Sequence, residues 1–385
     1  MKQAPQPGRL SVTTLTVLWA TMAVALVARL WICFASRLPW YNTDSYDYLR
    51  MADAILAGKP VSYFPNGYPL LIAGTKWLVG DLHLATSLII FNIAASMAVV
   101  AMSFQIAKRL ACSSAAVAAT ILVAIWPNQL NYVRQLMTEV PATFFLMLGV
   151  LLVLKGRSFS GGISLALAIL IRTTLLPVIP LIVLLAVTEG WRRAGGIITG
   201  ALVVAGLNGV LVHTGVVAPS NNGGVNLLFS IQSTSTEGIV FSTESFTAAE
   251  RSKPLATYIH FAIDRPKQFL WQRLSSLWEL WGPLPASAEG SRSLIRRLLI
   301  GMRFPLFAIA TLGIVIHRTS RPHLLLAVPI LVVTLIHTAF FSTARFSYPV
   351  EPLVLILAAN AIFSLIFGKS ASADTESSQV VMTDN

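Results

Sequence analysis

The sequence predicts an all-α polytopic membrane protein, a bundle of about ten helices with external juxtamembrane helices and loops. Composition is the first reason: 55% of the 385 residues are hydrophobic, 11% are charged, and the mean hydropathy is +0.71, far from a soluble domain. Apolar runs near the length of about 20 residues that a helical span needs recur along the chain, which is the second. The third is that Lys108-Arg109, Lys155 with Arg157, Arg192-Arg193 and Arg318 with Arg321 each sit just beyond the end of an apolar run, as cytoplasmic loop ends do. The short alternating segments of a membrane β-barrel are missing from the sequence.

Taken in order, the first run, Leu10 to Ala35, follows Lys2 and Arg9. It is too long for a secretory signal and has no convincing small-residue cleavage site before Trp40, so it reads as a retained helix with a cytoplasmic N-terminus. With every basic cluster facing the cytoplasm, helices are expected at 11–34, 84–107, 113–126, 140–154, 161–171, 174–188, 194–212, 299–316, 323–341 and 350–367. The runs flanking Arg172 are short, so 161–188 fits either two spans or a hairpin that stops short of crossing. Four regions follow: an N-terminal membrane module (1–212) holding a first external loop (37–83), an external region (213–298), C-terminal membrane helices (299–368) and a cytoplasmic tail (369–385). That tail is rich in Ser, Asp and Glu and reads as disordered, and both termini come out cytoplasmic.

The net charge of +12 is spread over loop ends rather than gathered in one basic domain, which argues against nucleic acid and for membrane phosphates. Cys33 and Cys112 fall in or beside predicted spans, so no disulfide framework is expected. The six histidines, at 83, 213, 260, 317, 323 and 337, are too scattered for a metal set, and no obligatory metal or other cofactor is expected.

Two stretches of the external region differ in character. Ala218 to Gly238 is turn-rich and small, suited either to a loop whose backbone approaches a ligand or to a plain connector. Leu255 to Trp281 carries Leu270, Leu274, Leu277, Trp278 and Trp281 at helical spacing, with Gln272, Arg273 and Glu279 elsewhere on the turn. Such a helix fits the external interface with indoles at headgroup depth, or ordinary packing against the bundle.

Three constellations bear chemistry. Asp44, Asp47 and Asp53 follow the first helix among Tyr41, Tyr46 and Tyr48; on a helix starting near Thr43, Tyr48, Met51, Ala52 and Ile55 share a face. Asp44 then lies in the first turn, where a carboxylate also serves as a helix cap. Glu139 opens another helix with Pro141 just inside it, again compatible with capping, yet on the same membrane side as Asp44. Arg29, Arg134, Arg292, Arg296, Arg297, Arg303 and Arg345 lie at external depth, where guanidinium pairs with phosphate or anchors to headgroups. Arg345 begins a polar link between two spans and is the strongest of these.

The segment Asp44 to Gly58 (DSYDYLRMADAILAG), followed by Phe64 to Leu71 (FPNGYPLL), resembles the first external loop of membrane glycosyltransferases with the GT-C fold. The pattern is similar to family 39, with its protein O-mannosyltransferases and lipid A aminoarabinose transferases, and to the galacturonosyltransferases of lipopolysaccharide core. Thr138 to Pro141, Leu167 to Thr173, Asn222 to Leu227 and Ala344 to Leu353 continue the likeness in family order. Many relatives have Asp-Glu where this chain has Asp44-Ser45, and the aminoarabinose transferases have Glu-Lys-Pro-Pro where it has Tyr63 to Asn66.

The resemblance implies a GT-C-like bundle that moves a sugar from a polyprenyl-phosphate carrier to an envelope lipid, polysaccharide or protein. It implies a bacterial inner membrane location with the site on the periplasmic face. By the same resemblance Asp44 is the general base and Glu139 a second catalytic carboxylate. Tyr46, Tyr48, Tyr68, Arg134, Asn222, Asn226, Arg345 and Tyr348 are the expected substrate contacts, Arg345 toward carrier phosphate. Two other classes fit the span count: a transporter or flippase of envelope lipids or glycans, and a structural partner in an envelope complex. No clear internal repeat relates the two halves, and the polar mass lies in external loops rather than broken mid-membrane helices, which favours the enzyme.

Overall fold

The computed structural model describes residues 11–35, 41, 43–220, 222–232, 246–282 and 301–367. Arg292, Arg296, Arg297 and the tail 369–385 lie outside them, as do residues 233–245. Among the described residues, five helical segments are long and apolar enough to cross a membrane: α1 (Val12–Ala35), α3 (Gly67–Ala107), α9 (Trp191–His213), α15 (Arg321–Ala339) and Ala344–Phe367. A sixth is a pair bent by 49°, α4 (Ser113–Ile125) with α5 (Pro127–Asn131) and the 3₁₀ turn after it. The bend sits at Trp126, held extended by the ring of Pro127.

Shorter apolar helices complete the bundle: α6 (Glu139–Leu154), α7 (Ser158–Ile171), α8 (Val178–Val187) and α14 (Arg303–Ile316). At 14 residues α7 is about 21 Å long, short of a hydrocarbon core of about 30 Å. It ends at Arg172, whose φ of −143° and ψ of 93° leave the helical region. The small residues of α7 let it meet α9 closely. A Cβ on Gly162 would enter the Ile197 carbonyl, and one on Gly200 the Phe159 carbonyl. The final helix, α16 (Glu351–Phe367), is buried without interruption from Glu351 to Ala361 and forms the centre of the bundle.

Three expectations are corrected by these elements. Residues 67–83 are not loop: α3 begins at Gly67 and bends once, at Gly80, whose φ of 72° suits glycine. The turn-rich stretch after Ala218 contains a ten-residue helix, α10 (Asn222–Ile231), because Leu228 and Ile231 find a buried face. The single helix over 255–281 is two, α12 (Pro254–Asp264) and α13 (Pro266–Trp281), split at Arg265 by Pro266. On α13, Leu270, Leu274 and Trp278 are exposed while Leu280 and Trp281 are buried, so the helix leaves one apolar face outward.

A helix α2 (Thr43–Leu56) buries Tyr48, Met51 and Ala52, the face its spacing predicts. Asp47 pairs with Arg50 on its surface, and Lys76 of α3 bridges Asp53 and Asp81, each at 2.6 Å. The helices α10 to α13, among them the short α11 (Ala248–Ser252), are fastened by side chains that grip main-chain oxygens. Arg273 donates to the carbonyls of Ser230, Ala339 and Phe340, Tyr258 to Ala339 at 2.6 Å, and Gln272 to Gln232 at 3.3 Å. Ser62 and Ser220 do the same between the two loops, through the carbonyls of Pro219 and Tyr63.

The basic loop ends gather at one end of the bundle. Arg109 donates to the Leu154 carbonyl at 2.9 Å, Lys155 to Gln105 at 2.6 Å, Arg321 to the Thr188 carbonyl at 3.2 Å, and Arg193 pairs with Glu189 and sits beside Gly156. Glu139, Arg172 and His337 occupy the opposite ends of the helices that start or finish there.

Candidate active site

At that opposite end a cavity of about 340 Å³ opens among α2, α6, α7, α10 and α15 and the 3₁₀ segment Ala344–Val350. Most of its wall is apolar: Phe64, Met137, Ile171, Leu176, Ile336, Phe340, Phe341 and Phe346. Four charged side chains enter it in two pairs. Arg345 Nη2 lies 2.7 Å from Asp44 Oδ2, and Arg172 Nη1 lies 3.4 Å from Glu139 Oε1. The second contact is an ion pair without a well-aligned hydrogen bond, since the Arg172 Nη1 group satisfies no hydrogen-bond geometry. Glu139 is almost fully buried, whereas the Asp44 and Arg345 side chains keep 23% and 31% of their surface, so the Asp44 pair is the one a ligand reaches.

Local sequence explains each placement. Asp44 sits in the first turn of α2, so its carboxylate leaves the helix end toward the cavity. Glu139 opens α6, and the Thr138 hydroxyl is 3.4 Å from its carboxylate. Arg172 is presented by the break between α7 and the 3₁₀ turn Thr173–Leu175. Gly67 makes that break possible: a Cβ there would lie 2.7 Å from the backbone of Leu170 and Ile171. Both arginines lie against one ring, Phe346, at 5.1 Å for Arg172 and 5.2 Å for Arg345. His337 stacks on the same ring at 4.4 Å, and its Nδ1 faces the Phe341 carbonyl at 3.1 Å, which only accepts.

Of the expected site residues, Asp44, Tyr48, Glu139, Asn222, Asn226 and Arg345 line the cavity. Asn222 and Asn226 do so together because they are one helical turn apart on α10. Burial, reinforced by the nearby carboxylates, pushes the Tyr48 phenol up, so that ring stays neutral. Tyr68 lies behind Tyr48, edge-on at 5.1 Å, and Tyr348 packs on Tyr132 at 4.9 Å; both are buried and neither reaches the cavity. Tyr46 is exposed on the far side of α2 against Tyr41, and Arg134 donates to Asn131 at 3.2 Å away from the lining.

The sequence reading assigned no role to Arg172, His337, Phe346 or Thr138. For Arg172 the signal was present: an arginine set between two apolar half-runs has to find a partner. Among the described residues no three His, Cys, Asp or Glu side chains gather into a metal-holding group, and the two cavity carboxylates each face a guanidinium.

Against solved structures the chain takes the fold of the GT-C membrane proteins. It is similar over 95% of its length to the apo oligosaccharyltransferase of Archaeoglobus fulgidus, with a TM-score of 0.53, 15% identity and 52% of that chain covered. The complex of the Archaeoglobus fulgidus oligosaccharyltransferase AglB with an inhibitory peptide and a dolichol-phosphate gives 0.51 at 14% identity, over 97% of this chain and 52% of that one. ArnT from Cupriavidus metallidurans bound to undecaprenyl phosphate gives 0.52 at 14% identity, over 96% of this chain and 64% of that one. The protein thus spans about half the length of the archaeal enzyme. No family model matches the sequence, and no curated protein matches it.

Proposed function

We propose that the protein is a membrane glycosyltransferase that moves a sugar from a polyprenyl-phosphate carrier to a hydroxyl of an envelope lipid, glycan or protein. One observation carries this reading: two carboxylates and two guanidiniums converge in a cavity of about 340 Å³ whose wall is mostly apolar. Apolar walls suit a prenyl chain, guanidiniums suit its phosphate, and a carboxylate suits an acceptor proton. The fold is shared with ArnT and AglB, whose structures hold undecaprenyl phosphate and dolichol-phosphate, which supports the carrier class.

In the proposed reaction Asp44 takes the proton of the acceptor hydroxyl as its oxygen bonds to the anomeric carbon. The bond from that carbon to the carrier phosphate oxygen breaks, and the electron pair leaves with the phosphate. Arg345 and Arg172 stabilise that anion, which needs positive charge more than a proton. A single displacement inverts the anomeric centre. Glu139 stays paired with Arg172 and holds its guanidinium toward the cavity.

The Asp44–Arg345 contact fits this scheme as an exchange. While the guanidinium faces the carboxylate at 2.7 Å it occupies that oxygen; carrier phosphate competes for the guanidinium and leaves the Asp44 oxygen open to the acceptor hydroxyl. The basic loop ends at the far end of the bundle support a cytoplasmic placement for that end and a periplasmic one for the cavity. One structure of the archaeal oligosaccharyltransferase carries zinc and sulfate. Here each cavity carboxylate faces a guanidinium, and the proposed steps are carried by these side chains alone.

The exchange makes the test directional. Purified protein in nanodiscs is expected to bind undecaprenyl phosphate, and Arg345→Ala to raise Kd about tenfold, the loss of roughly 1.4 kcal/mol. Asp44→Asn is expected to bind at least as tightly as wild type, because Arg345 no longer has a competing carboxylate. In cells lacking the native gene, Asp44→Asn at wild-type abundance should leave missing the envelope glycan that wild type restores, read by mass spectrometry. Restoration by Asp44→Asn removes it as the base, and unchanged binding by Arg345→Ala removes the phosphate site.

A further inference from the structure

A buried polar knot, none of whose side chains lines the cavity, joins five parts of the chain. Arg303 of α14 is 3% exposed and donates to the carbonyls of Leu280 at 2.7 Å, Gly282 at 3.1 Å and Ala344 at 3.0 Å, and to the Ser347 hydroxyl at 2.7 Å. Glu351, also 3% exposed, lies 3.6 Å from the same guanidinium. Its carboxylate accepts from Trp126 Nε1 at 2.9 Å, Asn128 at 2.8 Å and Ser347 at 2.9 Å. The knot therefore ties the bend between α4 and α5, the end of α13, α14 and the start of α16 to one seven-residue 3₁₀ segment, Ala344–Val350.

That segment needs outside support. A 3₁₀ run of seven residues is longer than the 3–4 residues such hydrogen bonds normally sustain, and Pro349 removes one donor from it. The Ala344 carbonyl that Arg303 grips belongs to the same planar peptide group as the Arg345 nitrogen. Arg303 thus fixes the plane from which the Arg345 side chain leaves the backbone. A buried ion pair adds little stability over apolar packing of equal volume, so its contribution here is to placement.

Resting on the phosphate role proposed for Arg345, we infer that Arg303, with Ser347 and Glu351, is a positioning group for that arginine. The knot holds the Arg345 main chain still while the side chain passes between Asp44 and the carrier phosphate.

The test is a double-mutant cycle on undecaprenyl phosphate binding in nanodiscs. Arg303→Met is expected to raise Kd about tenfold when Arg345 is present and to change it less than about twofold in the Arg345→Ala background. Arg303→Lys, which keeps the charge without the fork, should fall between. A group with a merely structural role would cost the same in both backgrounds, so additive losses overturn the inference, as does a folded Arg303→Met with wild-type Kd. If Arg303→Met does not fold, Ser347→Ala takes its place, with about a threefold rise that vanishes without Arg345. A second readout does not depend on the phosphate site. A nitroxide on Thr343→Cys, with Cys33 and Cys112 replaced by alanine, should show a more mobile spectrum in Arg303→Met or Ser347→Ala; an unchanged spectrum overturns the positioning role. Unchanged Kd in Arg345→Ala together with a mobilised nitroxide would instead locate the failure in the phosphate assignment.

Discussion

Arg172 and Glu139 face each other at 3.4 Å with side-chain exposures of 10% and 2%, so each charge depends on the other. Removing one partner of such a pair costs about 3–5 kcal/mol, and the place of Arg172 and Glu139 on the cavity wall puts this case near the lower end. Glu139→Ala is therefore expected to lower the melting temperature in detergent clearly, while Asp44→Asn, at a more exposed pair, stays within about 1 kcal/mol of wild type. Equal melting of the two variants would mean that Arg172 finds another partner. Asp44 and Arg345 were legible in the sequence because each is an ionised residue at the junction of a polar link and an apolar run. Glu351 was not, since what makes it matter is Trp126, 225 positions away. Tyr46 and Tyr48 differ by half a helical turn and nothing else visible in sequence, yet one is exposed and the other lines the cavity.

At the scale of elements, the site depends on helices that stop in the right place. The C-terminal end of α7 rests on Gly67 with no room for a methyl group. Gly67→Ala is expected to cost about 1–3 kcal/mol and to weaken undecaprenyl phosphate binding by displacing Arg172. Gly74, with no atom near its Cβ position, is the control that should do neither. Thermal melts and Kd measured on both variants check this, and equal behaviour would refute it. Most helix ends were legible to within a few residues because apolar runs and basic clusters mark them. The start of α3 was not, because Lys76 and Asp81 interrupt its hydropathy and are neutralised only by folding, in the bridge with Asp53. The helix α10 was hidden by its leading Asn222-Gly223-Gly224, whose turn propensity yields to the buried face beyond them.

At the scale of the molecule, the basic loop ends and the cavity lie at opposite ends of the bundle, so orientation is testable in one experiment. With Cys33 and Cys112 replaced by alanine, Tyr46→Cys should react with a membrane-impermeant maleimide in intact spheroplasts. Arg157→Cys, exposed at the basic end, should react only after permeabilisation. The reverse pattern would turn the protein over and move the reaction to the cytoplasm. The helices α10 to α13 raise a different matter. Arg273, Gln272, Tyr258, Ser62 and Ser220 all fasten them by gripping main-chain oxygens, which every amino acid presents alike. Docking of this kind is blind to the side chains beneath it. Asn226, on the cavity wall, can then be exchanged without loosening the cap that carries it, so that part of the cavity ceiling can have its chemistry rewritten while its seat stays the same, whether by evolution or by a designer seeking another acceptor.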